Sequence, residues 1–197
     1  MIQYESVSKE GTAVHGGTRA EKQRVRQEAQ RVSAGLTEAY RREASREIAR
    51  QVLDLPEWKD AGTVMAYWSM PTEPDTQELM RAALREGKTL LLPRCLDRTR
   101  MAAFPVEDPA ALKPGILGIP EPELPEYGTK IPEPDLILVP CVAASPHGAR
   151  MGHGAGYYDR FLAEHPGRTA CLCFRVLLRA DLPMEETDIP MDLVISD

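Results

Sequence analysis

The chain has 197 residues, of which 43% are hydrophobic and 27% charged, and both values are ordinary for a globular protein. Its net charge of −6 at pH 7 argues against nonspecific nucleic-acid binding, which needs a basic face. No stretch approaches the roughly 20 apolar residues that span a bilayer, and the N-terminus lacks the apolar core of a secretory signal. We therefore expect a cytoplasmic protein that binds neither nucleic acid nor membrane. A monomer and a small homo-oligomer both remain open.

The four cysteines show no CxxC pair and no spacing with histidine that suits zinc. They are Cys95, Cys141, Cys171 and Cys173. Cys171 and Cys173 alternate along a predicted strand, so they share one face. We expect four reduced, mostly buried thiols.

The N-terminal third predicts a tail followed by two amphipathic helices. Residues 1–17 are polar and end in two glycines, so we interpret them as a mobile tail. Thr18 and Glu21 have the spacing of a capping box, and apolar residues follow at helical spacing. Gly35 is a predicted break, and Thr37 is a predicted second N-cap.

The period of the apolar residues changes after residue 62. Five short apolar runs predict strands that are buried on both faces; they lie at 63–68, 89–93, 135–140, 169–174 and 193–196. Predicted helices at 75–86 and from Gly156 to Glu164 alternate with them. This alternation predicts an α/β fold with a mainly parallel sheet flanked by helices.

The stretch 107–135 is rich in proline and glycine. We interpret it as an ordered long loop over the active edge of the sheet, because it retains Ile116, Leu117 and Ile119. A disordered linker is the competing interpretation.

The sequence RMGHGAGYYDR at 150–160 follows the predicted strand 135–140. Closely spaced glycines at the carboxyl end of a parallel strand let backbone N–H groups converge on an anion, helped by the following helix N-terminus. Arg150 adds a charged fork for phosphate oxygens. The pattern fits neither GxGxxG nor the GxxxxGK[ST] motif. Asp159 would either bind a divalent cation beside the phosphates or complement the helix dipole.

The glycine loop and four further motifs resemble those of one known family. GARMGHGAGYYDRFL resembles the signature of the 5-formyltetrahydrofolate cyclo-ligases, also called 5,10-methenyltetrahydrofolate synthetases. KQRVR (22–26), PTEPDT (71–76), GILGIPEPE (115–123) and LPMEETDIPMDLVIS are similar to further motifs of that family, in the same order. The resemblance covers residues 22–196 and implies one NagB/RpiA/CoA-transferase-like α/β domain over 18–197.

The resemblance also implies an activity and a set of site residues. Family members use ATP and Mg²⁺ to convert 5-formyltetrahydrofolate, a reduced folate, into 5,10-methenyltetrahydrofolate, with release of ADP and phosphate. Arg150 and Glu73 are the expected catalytic residues, and Asp159 and Asp188 the expected metal ligands. The expected substrate-binding residues are Glu73, Met70 and Tyr157. The expected ATP-binding residues are Lys22, Arg26, Arg150, Gly152, His153, Gly154, Ala155, Gly156, Tyr157 and Tyr158.

Each of these assignments has a plainer alternative. Lys22 and Arg26 are also what a solvated helix face would carry, and Glu73 is also a loop acid before a helix. Tyr157 and Tyr158 point in different directions at a helix start, so at most one of them faces the site.

Three positions depart from the family pattern. Ala144 stands where an aromatic residue is common, Leu177 where a glutamine is common, and Ala155 where glycine or lysine is usual. The phosphate half of the site is therefore better preserved than the folate half. Two alternatives follow: an ATP-dependent paralogue acting on another pterin or an N-formyl or amide compound, and a non-catalytic folate- or nucleotide-binding protein.

Overall fold

The computed structural model describes residues 19–197, so the predicted tail and the Thr18 cap lie outside the described residues. Two helices open the described chain, α1 at Arg19–Ala34 and α2 at Glu38–Asp54. The Thr37 side chain accepts a hydrogen bond from the Tyr40 N–H, which confirms the predicted second N-cap. The remaining helices are α3 (Pro56–Asp60), α4 (Gln77–Arg85) and α5 (Tyr157–Glu164).

A six-stranded sheet forms the centre of the fold, in the order β10-β9-β6-β1-β2-β3. In chain order the strands are β1 (Thr63–Met65), β2 (Thr89–Cys95), β3 (Met101–Pro105), β4 (Lys113–Pro114), β5 (Pro120–Glu121), β6 (Leu136–Pro140), β7 (Ala143–Ala144), β8 (Arg150–Met151), β9 (Arg168–Leu172) and β10 (Leu193–Ile195). Every pairing in the central sheet is parallel except that of β2 with β3. The predicted α/β class is confirmed.

The sheet differs from the prediction at one edge and in the lengths of several strands, among them β1, β2 and β9. The antiparallel edge strand β3 was not predicted. Its sequence, MAAFP, shows little alternation of apolar and polar residues and contains a proline, and most of its residues are only partly buried. Strand β1 ends at Met65 rather than at residue 68, although Ala66 and Tyr67 remain buried.

Three of the four cysteines are buried, Cys95 is half-buried, and all four are free thiols, as predicted. The proline-rich stretch is folded against the sheet. There β4 pairs with β5, the Arg94 side chain donates to the Pro122 carbonyl, and the Cys95 N–H donates to Glu121. This contact with β2 favours the ordered loop over the disordered linker.

The strand order reverses between β1 and β6. From β1 the chain proceeds outward through β2 and β3, whereas from β6 it proceeds the other way through β9 and β10. In open α/β sheets ligands bind outside the carboxyl ends of the strands at such a reversal. The segments that follow β1 and β6 are therefore where a site is expected. Within residues 19–197 no helix is long and apolar enough to cross a membrane.

Candidate active site

Two loops meet at the reversal of strand order. Glu73 follows β1, and His153 follows β6 by way of the β7–β8 hairpin; the His153 Nε2 atom lies 3.1 Å from Glu73 Oε1. The other Glu73 oxygen accepts the Met70 N–H at 2.8 Å, so the turn itself orients the carboxylate. The Glu73 side chain is 4% exposed and the His153 side chain 42% exposed. His153, predicted with the ATP-binding loop, thus contacts the residue predicted to bind substrate.

Arg150 is paired within the protein rather than left open. Its side chain is 3% exposed, and its Nη2 donates to Asp159 Oδ1 at 2.8 Å. The guanidinium lies 5.8 Å from the centre of the Tyr158 ring. Burial, followed by the charge of Glu73, raises the pKa of Tyr158. The expected phosphate fork and the expected metal ligand therefore neutralise each other in this structure.

Helix α1 contributes the other two predicted cations. Lys22 is buried and forms an ion pair with Asp188, and its Nζ also lies 3.3 Å from Glu185. Arg26 donates from Nε to the Gly152 carbonyl at 2.9 Å. Both side chains thus contact loops at the site. They do not belong to a fully solvated helix face.

The glycine loop uses its glycines for specific geometric reasons. Gly154 has φ +104° and Gly156 has φ +69°, conformations that side chains disfavour. A Cβ at Gly152 would lie 2.8 Å from Arg150 Nη1. Ala155 meets no such restriction, because no non-glycine residue of the described chain has positive φ. Alanine is therefore compatible with this loop.

The turn between β2 and β3 is a wall of the site that the sequence analysis missed. The Tyr157 hydroxyl donates to the Asp97 carbonyl at 2.9 Å. Arg160 donates to the Thr99 carbonyl at 2.7 Å and to the Ala155 carbonyl at 2.6 Å, which joins the turn to the glycine loop. Tyr158 instead contacts Arg150, so the two side chains diverge, and that at most one of them faces a bound ligand stays a prediction. The Asp97 carboxylate closes this turn by accepting the N–H groups of Thr99 and Arg100. An aspartate in a polar stretch is typical of a turn, and it was the only signal in the sequence for this wall of the site.

A narrow cleft of about 20 Å³ lies between these loops, with room for about one water molecule. Its lining residues are Ala29, Gln30, Ser33, Thr72, Glu73, Cys141, Val142, His153 and Leu177. Leu177 faces the cleft, whereas Ala144 does not line it and is fully buried. A larger hollow of about 540 Å³, between α2 and the C-terminal residues, contains none of the predicted site residues.

The two predicted metal ligands lie near each other. Asp159 Oδ1 accepts the N–H of Ile189, the residue after Asp188, at 3.4 Å. Among residues 19–197 no group of three or more histidines, cysteines or acids could hold a metal ion without other ligands. Mg²⁺ is commonly bound by one or two carboxylates together with substrate phosphates. The carboxylate pair fits that pattern.

Comparison with known proteins decides the family. The family model described as "5-formyltetrahydrofolate cyclo-ligase family" matches residues 18–197. The chain belongs to the 5-formyltetrahydrofolate cyclo-ligase family. A probable 5-formyltetrahydrofolate cyclo-ligase of Schizosaccharomyces pombe is 31% identical over 166 residues, which cover 76% of this chain and 81% of that protein. The sequence-based prediction of a C–N bond-forming ligase is thereby confirmed.

Solved structures of cyclo-ligase relatives share the fold. The NMR structure of Aquifex aeolicus 5,10-methenyltetrahydrofolate synthetase is 31% identical and superposes with a TM-score of 0.77 over 88% of each chain. The structure of a 5,10-methenyltetrahydrofolate synthetase from Mycoplasma pneumoniae has a TM-score of 0.72, with 17% identity, over 90% of this chain and 99% of that chain. The second similarity supports the fold alone.

Proposed function

We propose that this cyclo-ligase family member converts 5-formyltetrahydrofolate into 5,10-methenyltetrahydrofolate, consuming ATP with Mg²⁺ and releasing ADP and phosphate. The observation that carries the proposal is the meeting of Glu73 with the glycine loop at the reversal of strand order. This contact brings an acceptor for the folate next to a loop suited to phosphates. The names of the relatives supply the substrate.

The chemistry explains why a nucleotide is needed. The formyl oxygen on N5 is a poor leaving group because it belongs to an amide. Transfer of the γ-phosphoryl group to this oxygen gives an N5-iminium phosphate and ADP. N10 then attacks the formyl carbon and loses its proton, and phosphate leaves with the former formyl oxygen. Such a reaction needs positioning and charge neutralisation more than a covalent nucleophile.

The phosphate half of the site supports this assignment through its free donors. Within the described chain, none of the backbone N–H groups of residues 152–156 donates a hydrogen bond. Arg26 lies against this loop, and the dipole of α5 begins after Gly156. These groups would hold the polyphosphate. Asp159 and Asp188 would bind Mg²⁺, which when bound neutralises phosphate charge, and each carboxylate would then exchange part of its present ion pair for the metal.

The folate half of the site rests on Glu73. Its buried carboxylate is fixed by the Met70 N–H and faces the cleft, so it can accept a hydrogen bond from N10 or from the pterin ring. In this structure the His153 ring lies within hydrogen-bond distance of Glu73 Oε1. A bound folate would share or replace that contact. Met70 and Tyr157 are the other proposed substrate contacts.

A direct assay tests the proposal. Purified protein with 5-formyltetrahydrofolate, ATP and Mg²⁺ should generate the absorbance of the methenyl product. Omission of either ATP or Mg²⁺ should abolish the signal. If no product forms at millimolar concentrations of all three, the proposed reaction is wrong.

Leu177 favours one second candidate, an ATP-dependent paralogue that acts on another pterin or an N-formyl compound. It places an apolar side chain in the cleft where the family commonly has glutamine. ADP release with such a compound, together with no turnover of 5-formyltetrahydrofolate, would support the paralogue.

A further inference from the structure

Glu121 is a buried carboxylate that none of the roles above uses. The residue is 4% exposed, and its Oε1 accepts the Cys95 N–H at 3.2 Å. Its Oε2 is buried and has no hydrogen-bond partner within the described chain. Leaving a buried polar atom unpaired is costly, and such atoms are rare in native structures. A ligand with hydrogen-bond donors would remove that cost.

The other buried side-chain atoms without partners lie at the same end of the sheet. They are Arg150 Nε and the Tyr158 hydroxyl, the only two besides Glu121 Oε2 within residues 19–197. Cys95 interacts electrostatically with both Glu121 and Tyr158. Burial and the Glu121 carboxylate raise the pKa of the Cys95 thiol, and Cys95 in turn contributes to the raised pKa of Tyr158. Two of the three unpaired atoms therefore belong to residues of the candidate active site, and the third lies beside Cys95 at the end of β2.

The sheet places Glu121 in a row with the rest of the site. Glu121 lies beside the carboxyl end of β2, Glu73 follows β1, and the glycine loop follows β6. These three strands are neighbours in the order β2, β1, β6. With adjacent strands about 4.8 Å apart, the row extends about 10 Å across the sheet, and Cys95 lies four residues further along β2 than Leu91, the partner of Met65. A fused two-ring ligand joined to a phosphorylated group fits a span of that size.

We propose that Glu121 binds the pyrimidine edge of the pterin ring. That edge carries two adjacent donors, the N3–H and the 2-amino group, and a carboxylate can accept one hydrogen bond on each oxygen. Oε2 is unused, and Oε1 retains a lone pair beside the Cys95 contact. This inference rests on the proposed function, because it names the part of the folate that Glu121 recognises.

A short turn covers the carboxylate and would move aside when the ring binds. A Cβ at Gly115 would lie 2.0 Å from Glu121 Cδ, so only glycine allows the present packing. The turn is closed by the Gly115 N–H to the Ile119 carbonyl at 2.8 Å. Ile116 and Leu117 are exposed at its tip. Only two residue pairs join β4 to β5 here, so little structure has to be broken.

The substitution Glu121→Gln separates ligand binding from loop anchoring. Glutamine keeps the acceptor for the Cys95 N–H and replaces Oε2 with a donor that opposes the pterin donors. The affinity for 5-formyltetrahydrofolate, measured by calorimetry, should fall at least about tenfold, as expected for losing a charge-assisted hydrogen bond. An analogue with methyl in place of the 2-amino group should bind wild type at least about tenfold more weakly than the natural folate. The variant should no longer distinguish the two ligands.

Glu123→Gln is the matched control, since Glu123 is exposed in the same segment and pairs with Lys113. It should keep both the affinity and the discrimination. Equal binding of the two ligands by wild type, or retained discrimination in Glu121→Gln, would overturn the inference. Glu121→Asp, which withdraws the carboxylate, provides a second variant if the glutamine protein does not fold.

The calorimetry also separates this inference from the proposed function. Wild type that binds 5-formyltetrahydrofolate but forms no methenyl product contradicts the proposed reaction alone, and the affinities still decide the role of Glu121. Wild type that binds neither ligand contradicts both.

Discussion

Arg150 and Asp159 have separate expected ligands, yet in the fold they contact each other. A guanidinium that is 3% exposed cannot be left without a counter-charge at low cost, and Asp159 supplies it. Lys22 has two acidic neighbours, Asp188 and Glu185, and so depends less on either one. The two predicted metal ligands therefore differ in how much stability they contribute.

This difference gives the first prediction. Asp159→Asn should lower the free energy of unfolding by about 2 kcal/mol, because the buried Arg150 loses its carboxylate partner. Asp188→Asn should cost clearly less, since Glu185 remains beside Lys22. Urea denaturation of the two variants measures the difference, and an equal loss would contradict it. Both variants should also raise the Mg²⁺ concentration needed for activity.

The second prediction concerns Glu73. Glu73→Gln should reduce turnover of 5-formyltetrahydrofolate roughly tenfold or more, because a charged acceptor at the reacting end of the folate is lost. The increase in melting temperature caused by ATP with Mg²⁺ should be unchanged, since Glu73 is assigned to the proposed folate half. A parallel loss of the ATP effect would show that the residue is assigned to the wrong half.

At the scale of elements, the glycine loop is held from three directions. Arg26 of α1 contacts the Gly152 carbonyl, Arg160 of α5 contacts the Ala155 carbonyl, and the Arg150 side chain lies directly beneath Gly152. The backbone amides remain without partners within the described chain, so they are fixed in place and available to an anion. The glycines at positive φ make this shape accessible.

The third prediction separates backbone conformation from contact. Gly154→Ala should destabilise the protein by about 1–3 kcal/mol, because alanine is strained at φ +104° while its Cβ would have only ordinary contacts with Arg26. Ala155→Gly is the matched control and should cost less than about 1 kcal/mol. Chemical denaturation measures both, and the KM for ATP should rise only in Gly154→Ala. A Gly154→Ala protein as stable as the control would refute the argument.

At the scale of the whole molecule, α1 contacts three of the loops of the candidate site. Arg26 contacts the glycine loop, Lys22 contacts Asp188, and the Ser33 hydroxyl donates to the Thr72 carbonyl next to Glu73, at 2.9 Å. These loops follow different strands and come together only because the sheet order reverses between β1 and β6. Helix α1 therefore connects the proposed phosphate half of the site to the proposed folate half.

The fourth prediction tests that connection. ATP with Mg²⁺ at a hundredfold excess over Kd should stabilise the folded protein by about 2.7 kcal/mol. The melting temperature should rise accordingly. Arg26→Ala should reduce this increase, because it releases the loop from α1. Arg24→Ala, an exposed arginine on the same helix, should not. No increase in wild type at millimolar ATP would contradict the nucleotide site itself.

The sequence by itself determined the elements and the chemistry of the loop. Periodicity predicted both opening helices and five of the six strands of the central sheet, because burial on one face or both leaves a local pattern. The spaced glycines and Arg150 marked the loop, and the family motifs named its residues. Strand β3 was not predicted, because an edge strand buries too few of its side chains to give a periodic pattern of apolar residues.

Only the tertiary structure decided which of these residues meet. The Arg150–Asp159 pair, the contact between His153 and Glu73, the full burial of Ala144 and the unpaired oxygen of Glu121 all depend on which strands are neighbours. Glu73 and His153 are 80 residues apart in the chain, and no local pattern relates them. The order of the strands brings them together, because the energy that sets that order comes from burying both faces of the sheet and not from any single segment.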